Sequence, residues 1–204
     1  MSKSQILYIH GGTTFKSKKD YLNFLKTRKL SIDRKVGWSG EYFSKALGDN
    51  FHVIRPRMPR QDGATYSEWA LHFERHLPLL KGDIILIGES LGGTFLAKYL
   101  SENKISKKIL SVYLVCAPFD GEMPGYDLAG GFNLKSDLSL LEKNTKNLYL
   151  IFFEKDEIVK LSHAEKYGAK LKKAKIIINR RIKGHYKVDN FPEIVKMIKS
   201  DVKK

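Results

Sequence analysis

The sequence predicts an α/β three-layer sandwich built on a mainly parallel sheet of six strands. Strand-like and helix-like segments alternate along the chain, and the central strand segments are unbroken apolar runs. No internal repeat or low-complexity linker interrupts the pattern. Strands buried on both faces need unbroken runs, and parallel crossovers produce the alternation. With 204 residues, 42% of them hydrophobic, the chain is expected to form one domain over 1–204 with a substantial core.

The first strand is expected near 5–10, where Ile6-Leu7-Tyr8-Ile9-His10 runs into Gly11-Gly12. Helices follow near 17–29 and 38–48, then a strand near 51–55 and a helix near 66–80. The third strand, near 83–88, holds the run Ile84 to Ile87, and Leu91 to Leu100, with few breakers, opens a helix near 91–103. A fourth strand near 109–116 ends on Cys116. The fifth, near 147–153, runs directly into Glu154-Lys155-Asp156-Glu157-Ile158-Val159. A helix near 161–173, a last strand near 175–179 and a helix near 191–202, beginning at Phe191-Pro192-Glu193, complete the order. Pro118 to Lys135 carries Gly121, Pro124, Gly125, Gly130 and Gly131 and reads as a long loop, a kind that is often functional.

Gly88-Glu89-Ser90-Leu91-Gly92 joins the third strand to its helix, which makes Ser90 a candidate nucleophile. A turn this sharp strains the serine backbone and needs small residues two before and two after it. Gly88 and Gly92 meet that need. The turn also aims the amide of Leu91 into the space beside the hydroxyl, at a helix end that favours negative charge. Five residues with three fixed occur often by chance, and a serine there can simply cap a helix. The flanking strand and helix, and two partners downstream, favour the functional reading.

A serine needs a base, and the base needs an acid to fix its tautomer. His185, in Gly184-His185-Tyr186, lies on a loop after the last strand. Parallel strand ends of one polarity share a rim, so an acid after the fifth strand would meet His185 and Ser90 there. Among Glu154, Asp156 and Glu157 the choice is Asp156, since Ile158-Val159 can pack back and fix its loop. Asp120 is a second possible acid and His163 a reserve base. His72 and His76 are four apart on a helix but lack a third ligand, so an exposed helix face explains them and no metal site is expected.

The loop His10-Gly11-Gly12-Thr13-Thr14 ends on the same rim and can offer a backbone amide opposite that of Leu91. Gly12 is the preferred donor and Thr13 the alternative; one such donor contributes roughly 3 kcal/mol to transition-state stabilisation. Phe119, Met123, Tyr126 and Phe132, from the long loop, are expected as apolar walls for substrate, with burial in the core as the competing reading. The segment Thr14 to Trp38 is a second candidate wall.

His10-Gly11-Gly12, Gly88-Glu89-Ser90-Leu91-Gly92-Gly93, the acidic loop at Asp156 and Gly184-His185 together resemble the α/β-hydrolase superfamily. The short length, Arg55-Pro56-Arg57-Met58-Pro59 and the following Trp69 are most similar to small serine hydrolases grouped with retinoblastoma-binding protein 9 and the YdeN-like proteins. Glu89 departs from that group, which more often carries histidine there. The resemblance implies a compact α/β-hydrolase fold without a large cap, and hydrolysis of an ester, thioester or amide of a small-molecule acyl substrate. No metal or organic cofactor is expected. A noncatalytic protein-interaction module on the same fold is the alternative, since fold alone does not establish activity.

The net charge of +15 raises nucleic acid and anionic membranes as partners. The lysines are spread over 16–19, 104–108, 170–175 and 196–204, without the aromatic interleaving of a nucleic-acid module, so no specific nucleic acid is expected. No apolar stretch reaches membrane-spanning length and no signal-peptide core precedes the first strand, so no membrane association is expected. The single cysteine, Cys116, rules out an internal disulfide and suits a cytoplasmic protein. Nothing in the sequence specifies an oligomeric state.

Overall fold

β1 (Ser4–Ile9), β2 (Phe51–Ile54), β3 (Ile84–Glu89), β4 (Ile109–Val115), β5 (Thr145–Lys155) and β6 (Lys175–Lys183) form one parallel sheet in the order β2-β1-β3-β4-β5-β6. The computed structural model describes residues 3–32, 37–185 and 188–203. Among the described residues the helices between strands are α1 (Lys18–Thr27), α2 (Glu41–Leu47), α3 (Tyr66–His76), α4 (Leu91–Glu102), α5 (Ser139–Lys143) and α6 (Leu161–Lys170), and α7 (Pro192–Val202) follows β6. No helix among the described residues is long and apolar enough to cross a membrane.

The sheet is buried on both faces because its central strands carry apolar runs, as expected, broken in β3 and β4 only by Gly88 and by Glu89 and Ser111, whose polar side chains find buried partners. In β3, Ile84 and Leu86 enter the core beneath α3, α4 and α6, while Ile85 and Ile87 enter the opposite core beneath α2 and α7. All six β3 residues are buried. The chain builds β1 and β2 on one side, then crosses to β3 on the other, so the strand order reverses between β1 and β3. That switch point opens a crevice at the carboxyl ends of the strands.

Several element ends differ from expectation, each for a local reason. The helix expected to reach 80 ends as α3 at His76 and tightens into a 3-10 turn over Leu77–Leu79, because Pro78 has no N–H to continue the ladder. Residues 38–40 form a turn before α2. The five-residue α5 is too short to show helical periodicity in the sequence. β6 runs four residues past Asn179, whose Oδ1 accepts from the amides of Arg181 and Ile182 where the pairing with β5 shifts register. Its polar continuation hides it from an apolar-run search, and an edge strand tolerates such residues.

Helix α7 is held to the sheet by a buried carboxylate. Asp201 accepts from the hydroxyls of Ser111 and Tyr113 on β4 and Tyr149 on β5, the two tyrosines at 2.8 Å, and the tyrosine rings stack 4.8 Å apart. Truncating Asp201 leaves three buried hydroxyls without their acceptor. Asp201→Ala is therefore expected to cost on the order of 3 kcal/mol of stability. Equilibrium urea unfolding checks this, and an unchanged midpoint would rule the clamp out.

Candidate active site

The turn after β3 brings three backbone segments closer than side chains permit. A Cβ on Gly88 would lie 2.4 Å from the carbonyl oxygen of Gly92, and one on Gly92 would lie 2.3 Å from that of Ile9 in β1. With both positions bare, α4 starts almost against the sheet. Ser90 absorbs the change of direction at φ 52°, ψ −122°, a conformation a side-chain-bearing residue rarely adopts. Its amide donates to Val115 at 2.8 Å, and its carbonyl accepts from Gly93 and Thr94. The first amides of a helix have no intrahelical acceptor, and Leu91 lines the cleft beside Ser90, so its N–H is the candidate donor there.

Asp156 and His185 reach this hydroxyl from the ends of β5 and β6. His185 Nε2 lies 2.9 Å from Ser90 Oγ, and His185 Nδ1 lies 2.7 Å from Asp156 Oδ2. The other carboxylate oxygen accepts from the amides of Ile158 and Val159 at 2.8 and 2.9 Å, the packed-back loop expected from the sequence. Burial pushes the Asp156 carboxyl up. The His185 hydrogen bond and charge and the two amides outweigh it and hold the group below the ordinary carboxylate range. An ionised Asp156 can only accept, so Nδ1 carries the ring proton and Nε2 is left to accept from Ser90.

The other candidates for base and acid belong elsewhere. His163 is fully buried; Nδ1 accepts from the Phe119 amide at 3.1 Å and Nε2 faces the Glu122 carbonyl at 3.2 Å, so it fastens the loop after β4. Asp120 pairs with Lys166 at 2.6 Å. Glu154 and Glu157 are exposed, Glu154 against Arg180. His76 Nδ1 donates to the His72 carbonyl on their half-buried helix face.

The loop after β1 is fixed by a segment that sequence reasoning assigned no role in the site. The Met58 amide donates to His10 Nε2 at 2.9 Å, which leaves Nδ1 to donate to the Gly11 carbonyl at 2.6 Å. Burial lowers the His10 pKa, the Gly11 carbonyl partly offsets it, and the charge of Arg57 lowers it further. A neutral ring thus locks the loop. The two candidate donors of this loop now separate: the Thr13 amide is donated to the Gln61 carbonyl at 2.9 Å, which spends it and leaves Gly12 as the candidate.

A cleft of about 520 Å³ opens over Ser90 and His185. Met123 and Tyr126 line it, as expected. Phe132 does not: its ring is fully buried against Tyr66 and Trp69. Phe119 packs edge-on to Tyr167 at 5.0 Å, outside the lining. Phe132 is drawn into the hydrophobic core, where ring burial outweighs a place at the rim, and Phe119 is half-buried against the edge of that core. From the Thr14 to Trp38 segment, Phe24, Arg28 and Lys29 form the facing wall, with Arg28 held by Asp62 at 2.8 Å. Trp38 lies buried in the opposite core.

Two buried groups lie behind the three site residues. Cys116, at φ 46°, shares with Asp156 and His185 a cluster whose sulfur, oxygen and nitrogen atoms lie within 4.8 Å of one another. Asp156 and His185 spend their donor and acceptor on each other, and binding a metal there would require stripping the Nδ1 proton. Burial, then the Asp156 charge and hydrogen bond, then the Glu89 charge push the Cys116 thiol well above its ordinary value, so it stays protonated. Glu89 is buried, accepting from Tyr8 Oη and from Trp38 Nε1, the latter at 2.9 Å.

Burial pushes the Glu89 carboxyl up to about 7 from 4.5, against the pull of the Tyr8 and Trp38 hydrogen bonds. A carboxyl that binds its proton more tightly when folded stabilises the fold below its unfolded pKa and loses that contribution as the pH rises through the folded one. Asp156, with a lowered value, has the opposite sign and matters only as the pH falls through the range below its ordinary 3.8. Between pH 5 and pH 8 the wild type is therefore expected to lose on the order of 3 kcal/mol that Glu89→Gln retains. Urea midpoints of the two proteins at both pH values check this; parallel pH dependences would refute it.

Comparison with known proteins agrees with this architecture. The sequence model of the serine hydrolase family matches residues 38–198. Among solved structures, the ydeN gene product from B. subtilis superposes with a TM-score of 0.78 at 16% identity, covering 99% of this chain and 100% of that one. Est1E from Butyrivibrio proteoclasticus gives 0.61 at 15% identity over 100% and 90%. The thioesterase domain from the curacin biosynthetic pathway gives 0.62 at 13% over 96% and 91%. A search of curated proteins finds no match. The sheet order, the bare-backbone turn at Ser90 and a family match over most of its length place this chain in the serine hydrolase family, on an α/β-hydrolase fold similar to that of YdeN.

Proposed function

We propose that the protein hydrolyses a small-molecule acyl ester, thioester or amide by two-step acyl transfer, with Ser90 as nucleophile, His185 as base and then acid, and Asp156 as the group that orients His185. The observation that carries this reading is the unbroken hydrogen-bonded line from Asp156 through both nitrogens of His185 to Ser90 Oγ. Similarity to the folds of proteins named as an esterase domain and a thioesterase domain supports the reading for oxygen and sulfur leaving groups. A cytoplasmic setting is consistent with the single free cysteine, Cys116.

In the first step His185 Nε2 takes the Ser90 proton as Oγ bonds to the substrate carbonyl carbon. The carbonyl oxygen becomes an anion held by the Leu91 and Gly12 amides. The imidazolium, stabilised by Asp156, gives its proton to the departing oxygen, sulfur or nitrogen as that bond breaks, leaving an acyl-Ser90 ester. Water then enters, loses a proton to Nε2 and attacks the ester. Collapse of the second tetrahedral species returns the proton to Oγ and releases the acid. Met123 and Tyr126 on one wall and Phe24 on the other supply the apolar contact for the acyl or leaving group.

Ser90→Ala is expected to abolish both turnover of p-nitrophenyl butyrate and labelling by a fluorophosphonate probe while keeping the wild-type circular dichroism spectrum. Labelling at the wild-type rate would sink the assignment. Asp156→Asn offers Nδ1 a group that can donate, which favours the wrong tautomer; kcat should fall by roughly 10³ to 10⁴ with the fold retained. A loss under tenfold would remove Asp156 from the mechanism.

A further inference from the structure

Glu89, directly before Ser90, faces away from the cleft. Its side chain lies against Tyr8 from β1, Trp38 from the turn before α2 and Cys116 from the end of β4, and among the described residues no cation is in hydrogen-bond contact with it. The acyl-transfer scheme uses neither Glu89 nor Trp38. A carboxyl group in such a place is costly to bury, and it is retained here with both oxygens bonded.

Trp38 is fully buried and joins three parts of the molecule. Its indole N–H donates to Glu89 Oε1 at 2.9 Å, and its backbone N–H donates to the Val188 carbonyl at 2.6 Å. Its ring meets Phe191 edge-on at 5.4 Å. Val188 and Phe191 lie on the segment that leads from His185 into α7. The last residue of β3, which precedes Ser90, is thereby tied through one residue, by its indole N–H on one side and by its backbone N–H and ring on the other, to the segment that follows His185. On the cleft side the same loop is held by Asp156 and by the Gly184 amide, which donates to Lys155 at 3.0 Å.

We propose that Glu89 is a positioning residue for the Ser90–His185 pair, acting through Trp38 to fix the distance between the nucleophile turn and the loop bearing the base. The proposal rests on the Ser90 acyl-transfer reading. Reaction needs Nε2 within hydrogen-bond reach of Oγ, and small misplacements there reduce the rate of the chemical step more than substrate binding. Gln at 89 keeps an acceptor for Trp38 and a polar partner for Tyr8, whereas Leu keeps neither. Phe at 38 keeps the ring packing and loses the indole donor.

The test measures kcat and KM for p-nitrophenyl butyrate and the fluorophosphonate labelling rate for wild type, Glu89→Gln, Glu89→Leu and Trp38→Phe. Asp201→Ala serves as a control that loosens the same helix layer without touching Trp38. Trp38→Phe and Glu89→Leu are expected to lower kcat and labelling at least tenfold with KM within twofold. Glu89→Gln should stay within threefold of wild type, and Asp201→Ala should lose stability with little change in kcat. Folded Trp38→Phe with wild-type kcat overturns the relay, and this variant carries the test if Glu89→Leu does not fold. An equal loss of kcat in Asp201→Ala also overturns it, because the effect is then general loosening. A wild-type protein inert to the fluorophosphonate fails the Ser90 reading itself, and the positioning role falls with it.

Discussion

The contact on which the structure depends is the approach of β1, β3 and α4 at Gly88 and Gly92, where backbone meets backbone at distances that exclude any side chain. It forces Ser90 into a positive-φ conformation that costs of order 1–3 kcal/mol. That cost is met by a strand and a helix buried along nearly their whole length. Because α4 is pressed against the strand ends, its first amide, the Ser90 hydroxyl and the loop after β1 share one small volume. A methyl group at either glycine would separate them.

The second organising fact is the polarity of the sheet. Parallel pairing sends β1, β3, β4, β5 and β6 out at one rim, so residues as far apart in sequence as Ser90 and His185 arrive at the same place. The order of positions around the rim then assigns roles by distance. The end of β5 supplies a buried carboxylate with both oxygens occupied, and the end of β4 supplies a protonated thiol beside it. Each polar group buried here has a partner, and among the described residues no buried side-chain nitrogen or oxygen lacks one.

The sheet, its polarity and the three residues of the hydrogen-bonded line were legible in the sequence because each leaves a local mark. Apolar runs mark buried strands, the glycines around Ser90 mark the turn, and Ile158-Val159 after Asp156 marks a loop that folds back. What stayed illegible depends on contacts made at a distance. Whether Phe132 faces solvent or core is decided by Tyr66 and Trp69, sixty residues and more upstream. Whether the Thr13 amide is free is decided by Gln61. The shared environment of Glu89 and Trp38 could not be read from either segment alone. The end of β6 was missed because an edge strand needs no apolar continuity.

Thr14 joins two parts of the site that have been described separately. Its hydroxyl faces Asp127 Oδ1 at 2.7 Å and accepts from the Ala129 amide at 2.9 Å, so the loop carrying Tyr126 is pinned to the strand end that presents Gly12. Under the acyl-transfer reading, a substrate bulky enough to push that wall outward would pull on Thr14, two residues from the amide proposed to stabilise the developing anion. On that reading, admission and chemistry would share a fastener. Selection by size in this cleft would register as slower acylation of an ill-fitting substrate, even where that substrate still binds.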